Sequence, residues 1–226
     1  MYKAILFDLD NTLIDFLTFK KETAKAAAKA MIAQSLNANE NELCTRIFEI
    51  YEQKGIEYQK TFYDVIRPYN LEVGLAEKIQ QTAIIAYPKK KFEVLKPYPT
   101  VRSTLDKLKK MGLIIGIVTD APRNKAWQRL ILVGLENEFD FVITHEDTKK
   151  YKPHPSPFKA ALKKLDVEAP GVLFVGDNPG RDIKGATKIG MKTCLAEYGK
   201  HIEGTETADF TIKEFDELLD IVQNEV

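Results

Sequence analysis

Cysteine is scarce, with only Cys44 and Cys194 among 226 residues. The two lie far apart and outside any CxxC or Cys/His cluster. Neither a disulfide framework nor a zinc site is indicated, and a reducing, cytoplasmic setting is expected. Long apolar runs are also missing: none approaches the roughly 18 residues that cross a bilayer, so no membrane partner is expected. The run from Ala4 to Phe7 stops at Asp8 and Asp10, too short for the core of an export signal, and none is expected. Net charge is absent, because Lys+Arg and Asp+Glu both number 33. No global basic field exists to attract nucleic acid. The one basic cluster, Pro88-Lys89-Lys90-Lys91, reads as a solvated helix end or linker. His145, His154 and His201 are scattered, form no triad with a serine or cysteine, and receive no catalytic role.

What is present is an ordinary globular composition, 44% hydrophobic and 29% charged, long enough for one large domain or a core with an insert. Five short apolar runs end in polar clusters and read as buried strands: Tyr2 to Phe7, Leu113 to Val118, Phe141 to Ile143, Val172 to Val175 and Lys192 to Ala196. Helical patterns lie between them, with Val101, Leu105 and Leu108 in one and Phe158, Ala161, Leu162 and Leu165 in another. Strands alternating with helices predict an α/β fold, a doubly wound, Rossmann-like parallel sheet. Ligands of such sheets bind beyond the carboxyl ends of the strands, where these polar clusters fall.

Residues 16–95 break the rhythm. They hold no convincing strand, but three apolar stripes at helical spacing, which predict an inserted helical domain. Ala24, Ala27, Ala28, Met31 and Ile32 form the first; Leu43, Ile47, Ile50 and Tyr51 the second; Tyr58, Phe62, Val65 and Ile66 the third. Packing is their default meaning, although the aromatic members could instead line a substrate cavity. Lys96-Pro97-Tyr98-Pro99 forbids a continuous helix and marks the return to the core. The expected division is 1–15 with 96–226, and 16–95.

Asp8 and Asp10 follow the first strand, and alternation along an extended segment turns both the same way. Close carboxylates are costly unless a cation offsets them, and a hard oxygen-rich site suits Mg²⁺. The bland reading is that one of them caps a turn. Other strand ends supply a hydroxyl at Thr119, a cation at Lys152, and carboxylates at Asp177 and Asp182. Alone, each has a bland reading as well: a turn residue, a surface lysine, turn chemistry or a helix cap.

In order, FDLDNTL at 7–13, VTD at 118–120, KPHP at 152–155 and GDNPGRD at 176–182 resemble the four motifs of the haloacid dehalogenase superfamily. The helical insert after the first motif looks like that superfamily's α-helical C1 cap. The resemblance implies that Asp8 is a nucleophile forming an aspartyl-phosphate and that Asp10 is the acid and base. Lys152 would neutralise Asp8 and the phosphoryl group, while Thr119 and the backbone N–H of Asp120 would hold phosphoryl oxygens. Mg²⁺ would join Asp8, the backbone carbonyl of Asp10, and Asp177, with Asp182 orienting the site or acting through water. Asp120 itself departs from the family, where asparagine or a small residue is common, and that touches substrate preference. The implied activity is a phosphatase for a small-molecule phosphate ester, glyceraldehyde 3-phosphate or phosphoglycolate being candidates. A phosphomutase, a dehalogenase (disfavoured by Asp10) and a non-catalytic phosphate-responsive regulatory domain stay open as alternatives. Oligomeric state is unreadable.

Overall fold

The protein is described by a computed structural model over residues 2–224. By internal packing the chain divides into two compact units, residues 1–16 with 96–226, and residues 17–95.

The first unit holds six strands: β1 (Ala4–Phe7), β2 (Ile114–Val118), β3 (Phe141–Ile143), β4 (Val172–Gly176), β5 (Lys192–Ala196) and β6 (Phe210–Ile212). They form one sheet in the order β3-β2-β1-β4-β5-β6, and every neighbouring pair is parallel. β1 and β4 are buried along their whole lengths, as expected of strands covered on both faces. On one face, Ala4, Leu6, Val172 and Phe174 pack with Phe158, Ala161 and Leu165. On the other, Phe7 meets the ring of Phe215 at 5.6 Å.

The helices of the chain are α1 (Phe16–Ala33), α2 (Glu40–Lys54), α3 (Thr61–Ile66), α4 (Val73–Val94), α5 (Val101–Lys110), α6 (Arg123–Val133), α7 (His145–Thr148), α8 (Pro155–Leu165), α9 (Lys184–Lys188) and α10 (Leu218–Asn224). In α5, Val101, Thr104, Leu105 and Leu108 are buried, the i, i+3, i+4, i+7 stripe of an amphipathic helix. Three lysines in its last turn face the negative end of the helix dipole. α8 starts where the sequence allows it. His154 accepts the Ser156 N–H as N-cap, and Pro155 follows, where its missing N–H costs nothing.

The second unit is helical, with a core of Ala24, Ala27, Ala28, Met31, Leu43, Ile47, Ile50, Tyr51, Val65, Ile66, Ile79 and Ala83. The three apolar stripes enter this core or, as with Ile32, Tyr58 and Phe62, pack partly buried against it, Tyr58 from just before α3. Lys20 is buried here, donating to Tyr87 Oη at 2.9 Å and to the Ile56 carbonyl at 3.0 Å. Its ammonium also lies 4.6 Å from the Tyr51 ring centroid, so the aromatics solvate a buried charge.

Two readings need correction. The Pro88 cluster is no linker, because α4 runs through it to Val94; it is a helix end only in that Lys91 lies in the last turn. Pro88 removes the bond its N–H would give to Ile84, but Ile84 and Ile85 are exposed, so water can serve the freed carbonyl. A sixth strand, β6, joins the expected five. Its three residues are too few to show a period, and Asp209 anchors it by accepting the Thr193 N–H and hydroxyl, each at 2.9 Å.

The ends of the segment leading into and out of the helical unit run together. Ile14 pairs antiparallel with Pro97, and the Asp15 N–H donates to the Lys96 carbonyl at 3.1 Å.

Candidate active site

From β1 the chain builds outward to β2 and β3, then crosses to β4 and builds the other way. The β1/β4 boundary is therefore the topological switch point, the place where such sheets bind ligands. Asp8 follows β1 there and donates its N–H to the Val175 carbonyl at 2.9 Å. Asp177 follows β4.

Asp8, Asp177 and Asp182 are all buried and bring one carboxylate oxygen each within 4.8 Å of one another. Lys152 enters this group with its ammonium 2.5 Å from Asp8 Oδ1 and 2.7 Å from Asp182 Oδ1. It also donates to the Val118 carbonyl at 3.0 Å, which ties it to the end of β2. Three carboxylates thus face one ammonium, and the imbalance shows in the proton affinities of Asp177 and Asp182. Burial, then Asp182 and Asp8, push the Asp177 carboxyl up to about 9. Burial also raises Asp182, opposed by Lys152 and assisted by Asp8. Burial works against the Lys152 ammonium, yet Asp182, Asp8 and Asp120 outweigh it and hold its pKa above the ordinary lysine range. A hard divalent cation fits such a donor set, since it would relieve the excess negative charge with the oxygen ligands it prefers.

Gly176 makes the arrangement possible, because a Cβ there would lie 2.6 Å from the Asp182 side chain. Gly199 is constrained more severely: its Cβ would lie 1.6 Å from the Asn11 carbonyl oxygen. Asn11 has φ 63°, a left-handed conformation that its surroundings must hold. Tyr198 helps, donating its hydroxyl to the Thr12 carbonyl at 2.7 Å. Gly199→Ala is expected to displace this loop, costing about 2–3 kcal/mol as overpacking and lowering kcat. Thermal melts and steady-state rates check this, and a variant that melts and turns over like the parent would refute it.

The other anticipated residues fall as follows. Thr119 is buried and its Oγ1 accepts the Ala121 N–H at 3.1 Å, so it organises the turn and keeps its hydroxyl proton for donation. The Asp120 carboxylate is engaged within the fold. It accepts the Lys152 N–H at 2.9 Å and pairs with Arg181 at 3.3 Å, linking the loops after β2 and β4. Asp10 is paired with a different cation: its Oδ2 meets Arg129 Nη1 at 2.6 Å.

Several neighbours were not anticipated. Thr12 donates to Asp177 Oδ1 at 3.2 Å. The Asn178 N–H donates to Asp182 Oδ2 at 3.0 Å. His201 Nδ1 lies 3.5 Å from Asp177 Oδ2. Arg129 is the largest omission. Its signal is an arginine among the buried positions Ala126, Leu130 and Val133 of α6, where a charge needs a partner.

Residues 5–196 match the family model of the haloacid dehalogenase-like hydrolases. The chain belongs to this family. It is 39% identical over 227 residues to the glyceraldehyde 3-phosphate phosphatase of Methanocaldococcus jannaschii, covering 99% of this chain and 98% of that protein. Similarity to the enzyme of the same name from Pyrococcus furiosus is 34% over 227 residues, covering 99% and 94%. Its fold resembles the crystal structure of a HAD phosphatase from Thermococcus onnurineus, with 26% identity, a TM-score of 0.69 and 97% of each chain covered. The protein is an enzyme, a HAD-like hydrolase with phosphatase function. Among the described residues no helix of this hydrolase is long and apolar enough to cross a membrane.

Proposed function

We propose that this hydrolase cleaves a small-molecule phosphate monoester with Mg²⁺ through a phosphoenzyme on Asp8, and that glyceraldehyde 3-phosphate is its substrate. The observation that carries the reading is the buried group of Asp8, Asp177 and Asp182 around Lys152 at the switch point. The names of the relatives support the choice of ester.

Asp8 attacks phosphorus, and the P–O bond to the leaving group breaks as Asp10 hands its proton to the departing alkoxide. Asp10 then takes a proton from the water that attacks the Asp8 phosphoryl group, restoring both carboxyl groups. Lys152 neutralises Asp8 and the transferring oxygens, while the Thr119 hydroxyl and the Asp120 N–H donate to them. Asp8, Asp177 and the Asp10 carbonyl would hold Mg²⁺, which when bound neutralises charge and polarises a phosphoryl oxygen. Asp182 acts through its bonds to Lys152 and to the Asn178 N–H. Residues 16–95 act as the cap that reads the rest of the ester.

Chelation is expected to abolish turnover of a panel of phosphate esters, and added Mg²⁺ to restore it. Mg²⁺ at 100 times its Kd should also stabilise the fold by about 2.7 kcal/mol, read as a rise in Tm. In calorimetric titration Asp177→Ala should lose more Mg²⁺ affinity than Asp182→Ala. Full activity of a metal-free preparation would sink the reading. Label passing from a bisphosphate to a sugar monophosphate, with little phosphate released, would mark a mutase instead.

A further inference from the structure

Arg129 is 3% exposed, a position where a guanidinium requires a partner. Its Nη1 meets Asp10 Oδ2 at 2.6 Å, across 119 residues of sequence. The guanidinium carbon lies 4.3 Å from the centroid of the Phe16 ring, within the range of cation–π contact. The Asp10 side chain is 23% exposed against 4% for that of Arg129, although its second oxygen, Oδ1, is itself buried. Asp10 also forms a bridge with Ile14, which restrains its backbone. The direction of the carboxylate is then the freedom left to set, and a rigid, planar guanidinium sets it more firmly than a flexible ammonium would.

We propose that Arg129 is a positioning residue for Asp10: by holding one carboxylate oxygen it aims the group that exchanges protons with the leaving group and water. This rests on the acid/base reading of Asp10. Arg129 does not itself supply the proton, since a guanidinium stays charged in proteins. Its effect should therefore follow the leaving group's need for a proton, being large for an alkoxide and small for p-nitrophenolate.

The test is the rate of Asp8 phosphorylation, followed by rapid-quench trapping with glyceraldehyde 3-phosphate and by the p-nitrophenolate burst with p-nitrophenyl phosphate. Arg129→Met keeps apolar contact with Phe16 and loses the fork. It should slow phosphorylation by the alkyl ester roughly 10–100-fold, the usual scale for removing a group that orients a reacting one, with a much smaller effect on the aryl ester. KM for both should stay nearly constant, and Arg129→Lys should recover part of the loss. Equal slowing with both esters would assign Arg129 to the structure of the loop and overturn the proposal, as would parental rates with both. Should Arg129→Met fail to fold, Arg129→Lys carries the same comparison, with a smaller split between the esters expected and equal rates fatal. Asp10→Asn run in parallel separates the two ideas. If it splits the esters and the Arg129 variants do not, the positioning role fails alone; if it splits nothing, the acid/base reading fails with it.

Discussion

Asp8→Asn is expected to abolish turnover, lowering kcat on the order of 10⁶-fold, the scale seen when an enzyme loses its nucleophile. The amide is nearly the same size and stays buried, but it cannot form an acyl phosphate under these conditions. Phosphate label trapped on the parent protein should disappear from the variant. The fold should survive. Asp8 has Lys152 at 2.5 Å, which favours its charge, but it also crowds Asp177 and Asp182, so its neutralisation removes attraction and repulsion together. Residual turnover with label on another residue would overturn the assignment of Asp8.

Lys152→Met is expected to damage both rate and stability. The ammonium touches Asp8 and Asp182 and is itself buried. Deleting one partner of a buried ion pair costs about 3–5 kcal/mol, because the remaining charges are left uncompensated. Catalysis should fall roughly 10²–10³-fold, as for loss of one preorganised donor to the transition state. The two effects separate by salt and metal. Mg²⁺ should recover part of the lost Tm, since it supplies positive charge to the same carboxylates, but should not recover kcat. Full recovery of rate by Mg²⁺ would show that the ammonium serves the fold alone. An unchanged Tm without metal would show that the carboxylates are not crowded as described.

The elements legible in the sequence are those whose burial writes itself into a continuous apolar run. β1 and β4 are buried on both faces, and so stand out between polar segments. β6 does not, because Phe210-Thr211-Ile212 is short and Thr211 is exposed. Pro88 misleads for a different reason. Proline disfavours a helix interior by losing one bond and crowding the carbonyl four residues back, but here the rest of α4 continues past it and the freed carbonyl of Ile84 lies at an exposed position. At the site, Asp8, Lys152, Asp177 and Asp182 can be named from motifs because each follows a strand or opens a helix of the sheet. Their gathering belongs to the strand order, which no local pattern contains. Arg129 and His201 reach the site from segments without a motif, and only the fold brings them near Asp10 and Asp177. Asp120 shows the reverse case. Its charge is evident in the sequence, but its commitment to the Lys152 N–H and to Arg181 depends on two other loops.

The pairing of Ile14 with Pro97 and of Asp15 with Lys96 has a consequence for how such a protein can diversify. Whatever lies between these residues leaves and re-enters the sheet at one point, so its length adds little to the cost of closing the chain there, which grows only with the logarithm of loop size. The clip makes residues 17–95 an exchangeable cassette: a different segment grafted between Phe16 and Lys96 would leave every strand in its place, so the inserted unit could change while the sheet and the residues gathered at its strand ends stay as they are.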